Sequence, residues 1–392
     1  MNTQRKILII AVILFIFILG GLFFAYKSFT GNNSSGNFLG ITTKRNNGST
    51  LFPNFGQFGN NKNNTNIKEN GSIPTLRQIS SVPTSGGVVF DTKENTVIRY
   101  VERATGHIFE TTNNSVEQNR ISNTTIPSIQ ESTWSPDGEM VILRYLDENG
   151  LIKSFYGKVS GEKNGLDGWF LSNNITDITV NKNDDIFYIQ KVGNDSKGIV
   201  SNFDGTNSRV VFSSTISDWY PQWMGNSATI TTKPSRNING FLYLLRSGKY
   251  KKILSSSGLI TNINKDGSMV LFSTSDINET NLFIYNSDNK KITVVPFRTL
   301  AKKCTWTDNS TILCASPYNR VQGVIPDDWY KGAVSFSDDI WSYNTKTKTS
   351  KLVYDAEADN RVFDAINLTT DSEGKMLLFT NKNDLTLWAL SL

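Results

Sequence analysis

The feature that most constrains this chain is a hairpin frame that recurs at nearly constant spacing. Its clearest copy is "TWSPDGEMVILRY", residues 133–145: a large apolar residue, a four-residue turn, then an apolar run. In Ser135-Pro136-Asp137-Gly138 the proline ring presets φ near −65°, Asp137 suits the third turn position, and Gly138 accepts the positive φ that returns the chain to a strand. Trp134, just ahead of the turn, supplies an apolar wedge for packing one sheet on its neighbour.

The same frame fits at Phe90, Trp134, Val180, Trp223, Ile263, Trp306 and Thr370, with spacings of 44, 46, 43, 40, 43 and 64 residues. Each hairpin is followed by a third strand, as in "NLFIYN", "DIWSYN" and "TLWALS". Most units add a fourth, as in "RVVF" from Arg209, "KKIL" from Lys251, "ITVV" from Ile292 and "SKLVY" from Ser350. A period of about 40 to 45 residues with four short strands per unit is that of a β-propeller blade. A β-sandwich has no reason to repeat at fixed period. Unit seven lacks a fourth strand, while "TLRQIS", from Thr75 to Ser80, reads as a fourth strand without a blade of its own. The expected fold is therefore all-β: a seven-bladed propeller over residues 75–392, closed by its own N-terminal strand so that no sheet edge is left open at the seam.

"WSPDG" before an apolar strand, with an "RQIS"-like fourth strand, resembles the repeat of the TolB-type, WD40-like β-propellers over roughly residues 75 to 392. Unit two matches closely; units three, four and seven lack the proline and are placed by spacing. The resemblance implies an extracytoplasmic propeller that binds protein or peptide, and it transfers fold better than role.

Ahead of the repeats, Ile7 to Tyr26 is a run of twenty residues without a charge, the length an α-helix needs to cross about 30 Å of hydrocarbon. It is longer than the apolar region of a cleavable signal peptide and lacks a small-x-small cleavage site, so an uncleaved anchor is expected. Arg5 and Lys6 before it and only Lys27 after it place residues 1–6 in the cytoplasm and the rest outside. Residues 27–74 are rich in Asn, Gly, Ser and Thr without periodicity and read as a disordered linker. Its end-to-end distance should be on the order of 35 to 40 Å.

The net charge of +5 suggests nucleic acid until it is located. Residues 1–75 hold seven Lys/Arg against one acid, which leaves the propeller near −1. No nucleic-acid partner is expected from a nearly neutral domain.

The 64-residue interval carries about twenty extra residues, Pro317 to Ser337, between the second and third strands of unit six. Loops of that length in a compact domain are functional or disordered as a rule. Tyr318, Arg320, Asp327, Asp328, Trp329 and Tyr330 are of the types that dominate binding hot spots, and they are the candidate binding residues. The other reading is a lid that packs its own aromatics on the ring.

Cys304 and Cys314 are centred on the turn at Asn309 and would face each other across two strands, so a disulfide is expected outside the cytoplasm. His107, the one histidine, reads as a turn residue, and no nucleophile elbow or metal-ligand spacing occurs, so no metal or cofactor is expected. The resulting expectation is a non-catalytic binding or scaffolding module of the cell envelope. It would be anchored in the bilayer through residues 7–26, with an envelope protein or peptide as partner. The alternatives are a carboxylate-dependent hydrolase of glycans, using Asp327/Asp328 or Asp338/Asp339, and the accessory propeller of a peptidase complex.

Overall fold

The computed structural model of the chain describes residues 75–160, 165–246, 248–276 and 279–392. The apolar run 7–26 and the linker 27–74 lie outside the described residues, and among these no helix is long and apolar enough to cross a membrane.

The described residues form seven four-stranded antiparallel sheets, one per repeat, which follow one another in chain order around a ring. Six sheets are built from consecutive strands. The seventh takes Ala365–Thr370, Met376–Asn381 and Leu387–Ser391 from the C-terminal end, and its outer strand is Leu76–Gln78 from the start of the domain. Leu76 pairs with Leu390 and Gln78 with Trp388, so the seam closes as the sequence predicts.

The apolar runs that follow each turn have a direct physical cause. The second strand of a blade lies between two strands of its own sheet and between two neighbouring blades, so both of its faces are covered. Met140–Leu146, Asp185–Val192, Ser227–Thr232 and Met376–Asn381 each bury at least four consecutive residues. Val141, Ile142 and Leu143 are fully buried on alternate sides. Outer strands such as Lys249–Ser257 are largely exposed. Trp134 packs with Val88, Val101 and Ile108 of blade one and with Val141 and Leu143 of its own blade, as a wedge between the two.

In the quoted turn the Gly138 N–H donates to the Ser135 carbonyl at 2.9 Å, and the buried Ser135 hydroxyl accepts the Met140 N–H at 2.9 Å. Gly138 sits at φ +70°, and a Cβ there would lie 2.3 Å from the Phe90 ring of blade one. Units without the Ser-Pro pair reach the same geometry by other side chains. In unit three the Asn181 carboxamide oxygen accepts the N–H groups of Asn183 and Asp185 at 2.8 and 3.0 Å.

Antiparallel order within every blade gives the ring two distinct faces. Links between blades, and between second and third strands, emerge on one of them, hereafter the strap face. The tight turns between first and second and between third and fourth strands emerge on the other, the turn face.

Candidate functional site

Residues Pro317 to Ser337 leave the ladder of blade six where Pro317 pairs with Asp338, and the Tyr318 N–H donates to the Ser337 carbonyl at 3.0 Å to close the neck. The segment is a strap. Its single helical turn, Asp327–Tyr330, follows Pro326. On blade four, Asp327 Oδ2 accepts the Arg236 N–H at 2.8 Å. On blade seven, the Trp329 indole N–H and the Phe336 N–H both donate to Asp364 Oδ2, at 2.9 and 3.1 Å, and Lys382 Nζ donates to the Trp329 carbonyl at 2.7 Å. The strap thus leaves blade six and ties itself to blades four and seven.

Beneath it lies Lys303, with a side chain 0 % exposed. Its ammonium pairs with Asp338 Oδ2 at 2.8 Å and with Asp364, and donates to the Ala365 carbonyl at 2.9 Å. The rings of Phe336 and Trp329 cover it, with centroids 4.9 and 5.5 Å from Nζ. Burial pushes the Asp338 carboxyl up to about 6, against the opposing pull of Lys303. The neighbouring Asp339 accepts the Ala356 N–H at 2.9 Å.

The six candidate residues therefore divide. Asp327, Asp328 and Trp329 are fasteners: Asp328 Oδ2 accepts the Val324 N–H at 2.7 Å and shapes the strap itself. For Asp327, burial raises the carboxyl, but the amide of Arg236 and the hydroxyl of Ser235 outweigh it and leave the group below its ordinary value. Tyr318 and Arg320 line a hollow of about 350 Å³ beside Glu279 and Arg298. Tyr330 alone reaches the channel. As acids for glycan hydrolysis, Asp327 and Asp328 hold backbone amides, and Asp338 is sealed against Lys303.

The channel mouth on the strap face holds a cavity of about 290 Å³, lined among others by Asp177, Tyr220, Gln222, Asn262, Lys302 and Tyr330. Four of these come from the first strands of blades three to five. Lys302 stands on the short helical turn Ala301–Lys303 before blade six, and Tyr330 comes down from the strap. A bulge between Ile175 and Asp177 sets the local register of blade three at this carboxylate. Its Oδ1 accepts the Ile178 N–H at 2.8 Å. Burial raises the Asp177 carboxyl, opposed by the positive charges of Arg144, Lys302 and Lys233. Lys302 Nζ lies 5.4 Å from the centroid of the Tyr220 ring. The hydroxyls of Tyr220 and Tyr330 interact with each other. Burial, with the Asp177 charge, pushes Tyr220 up to about 12 and Tyr330 well above its ordinary value. The Gln222 amide and the Thr261 hydroxyl and carbonyl satisfy one another at 2.7 Å and form a fixed floor.

Sequence reasoning did not find Asp177, Tyr220 or Lys302. The available signal was an acid inside a first strand, "NITDITV", where the other inward positions are apolar or hydroxyl-bearing. Cys304 and Cys314 pair across the first two strands of blade six, and their Sγ atoms are bonded. His107 precedes the third strand of blade one, Ile108–Thr112, and its Nε2 lies 3.1 Å from the Thr125 hydroxyl. Among the described residues no three His, Cys, Asp or Glu side chains are grouped to hold a metal ion.

No family model matches the chain, and no curated protein does. Solved structures match its fold. The β-propeller domain of the Trilobed protease from Pyrococcus furiosus is similar at 10 % identity and a TM-score of 0.52, over 79 % of this chain and 95 % of that one. An oligogalacturonate lyase from Vibrio parahaemolyticus is similar at 9 % identity and a TM-score of 0.55, over 81 % and 93 %. A puromycin-hydrolyzing peptidase from Mycobacterium tuberculosis matches at 11 % identity and a TM-score of 0.52, over 76 % of this chain and 52 % of its own. At such identity the likeness shows the fold alone.

It does correct one expectation, that the chain is not an enzyme. Solved proteins containing this fold include a lyase and peptidases, so the fold gives no ground for excluding catalysis. The physical reason for the error is that the exclusion rested on histidine and cysteine motifs and on adjacent acid pairs along the sequence. The ring instead gathers a carboxylate, an ammonium and two phenols from four separate segments around one cavity.

Proposed function

We propose that the protein is a membrane-anchored, extracytoplasmic propeller of the TolB type that takes a peptide segment of an envelope protein into its channel mouth, beneath the strap. The anchor reading is supported by the uncharged run 7–26 with Arg5 and Lys6 ahead of it. The observation that carries the binding reading is the mixed character of the cavity. Asp177 suits a donor, Lys302 suits a carboxylate or carbonyl, and Tyr220 and Tyr330 offer ring faces and hydroxyls. A peptide presents all three kinds of partner in a short length. The test is photo-crosslinking of the full-length chain in membranes, with the reactive residue at Asn367 in the cavity wall or at Lys290 on the turn face. A discrete adduct from position 367, absent from 290 and lost with Asp177→Asn, is expected. The same adducts from both positions would overturn the reading.

A second reading is that the same cavity acts on what it binds. One observation favours it: burial holds the Asp177 carboxyl above its ordinary range among an ammonium and two phenols, an arrangement suited to proton transfer. Turnover of envelope glycans or peptides by the native chain, abolished by Asp177→Asn with the fold intact, would establish it. No turnover across both substrate classes would leave binding as the function.

A further inference from the structure

On the turn face, hollows open between neighbouring blades, and two of them occupy equivalent positions with opposite chemistry. The hollow between blades two and three, about 240 Å³, has Met140, Tyr156 and Phe203 in its walls and Asp184, Asp185 and Asp204 around it. The hollow between blades four and five, about 540 Å³, has an apolar floor of Met224, Leu244, Ile253 and Tyr285, and its rim carries Arg246, Lys251, Lys252 and Lys290. All four cations are exposed, and among the described residues none is in an ion pair. The lining also holds two acids, the exposed Asp288 and Asp266, which accepts the Ser268 N–H and hydroxyl at 2.9 and 2.7 Å, so cations outnumber acids by four to two. Residues 76–392 carry a net charge of about −1, so four unpaired cations around one hollow are a local concentration and not a reflection of a basic domain.

The start of the propeller lies on this same face. The Ser391 N–H donates to the Thr75 carbonyl at 2.8 Å, and the Leu392 N–H donates to Lys375, in the first turn of blade seven, at 2.8 Å. Whatever holds the chain upstream of Thr75 therefore holds it from the turn face.

We propose that the hollow between blades four and five seats phosphate headgroups of an anionic bilayer, so that the turn face lies on the membrane and the strap face points away from it. This rests on the anchored reading above. The chemistry matches part by part. The guanidinium of Arg246 offers a planar fork of donors to phosphate oxygens, and the three lysines add compact charge. The apolar floor accepts the glycerol and upper acyl carbons. Each cation brought to an anionic surface contributes roughly fivefold to the partition. The acidic hollow two blades away on the same face is repelled by that surface, so the ring settles tilted, with blades four and five nearest the bilayer.

The experiment uses the full-length chain in lipid nanodiscs made of phosphatidylcholine alone or with phosphatidylglycerol. A fluorophore on Asn289→Cys reports contact with headgroup-labelled quencher lipids, and flotation reports retention on the discs. The expected result is retention on both discs, with quenching only on the anionic ones. Lys251→Glu/Lys252→Glu should reduce the docked-to-free ratio by about tenfold or more. Equal quenching on both lipids, or quenching that survives the double reversal, overturns the docking and leaves the anchor standing. Retention on anionic discs alone, lost with the double reversal, keeps the docking and overturns the anchor. Quenching relieved by millimolar inorganic phosphate would assign the hollow to a soluble phosphate ligand and overturn the bilayer.

Discussion

The two faces of the ring are made by the same repeat and finished by different means. On the strap face about twenty added residues cross the channel mouth and are fastened by a fully buried ammonium between two carboxylates. On the turn face nothing is added. The hollows keep their backbone frame, and the side chains in the tight turns give one a negative rim and another a positive rim. The strap face gains its character at a high desolvation cost that only close pairing offsets. The turn face gains its character from exposed residues that leave stability almost unchanged. Features of the first kind are costly to disturb, and those of the second are free to vary.

The sharpest way to break this comparison is Lys303→Met. Removing the ammonium leaves Asp338 buried without a cation and Asp364 with only Lys382, 3.9 Å away, and urea unfolding should show a loss of about 3–5 kcal/mol. Lys303 is also the anchor beneath Trp329 and Phe336, so protease cleavage within 318–336 should appear at the same time. Trp329→Ala should cost about 3 kcal/mol, less if the strap detaches cleanly from Asp364 and Lys382 while the ring persists. That outcome would be read as strap cleavage ahead of global unfolding.

Glycines on the two faces should differ by less. Gly138→Ala meets both φ +70° and the Phe90 ring, and should cost about 2–3 kcal/mol. Gly332→Ala, in the strap at φ +76° with open space around it, should cost about 1 kcal/mol. Equal melting shifts for the pair would mean that Phe90 yields.

The pH dependence separates the faces again. The Asp338 carboxyl is raised in the folded state to about 6. Its contribution to stability is full below the ordinary carboxylate value near 4, is lost as pH rises to about 6, and is flat above that. Stability measured from pH 4 to 7 should carry this decline in the native chain and lose it in Asp338→Asn. The smallest effect is expected from Lys251→Met: within about 0.5 kcal/mol, because an exposed, unpaired cation contributes little to folding.

How much of this was legible in the sequence follows from the same contrast. The ring was readable because a strand buried on both faces must be an apolar run, and because Ser135, Asn181 and Asn264 place a side-chain acceptor at the start of each turn. Both signals are local. The site was not readable, because Asp177, Tyr220, Lys302 and Tyr330 are separated by 28 to 82 residues from one to the next and meet only after closure. The strap was visible as an interruption of the period, but its residue types misled. Trp329 was a binding candidate for its large amphipathic ring, and the fold uses that ring to cover Lys303 and its indole N–H to hold Asp364. A clamp and a binding hot spot ask for the same side chain, and only the partner distinguishes them. The expected anchor and linker, residues 1–74, lie outside the described residues.

The closing seam has a mechanical consequence. Three residues, Leu76 to Gln78, complete blade seven, and they are the first strand after whatever the chain is fastened to. Tension on the upstream chain is therefore delivered to this seam, along the strand, with the ladder to Leu387–Ser391 loaded in shear. If the chain is anchored as proposed, a cut anywhere in 27–74 would release a closed ring. A pull strong enough to strip three residues would open one, exposing the edge of Leu387–Ser391 for another strand to occupy.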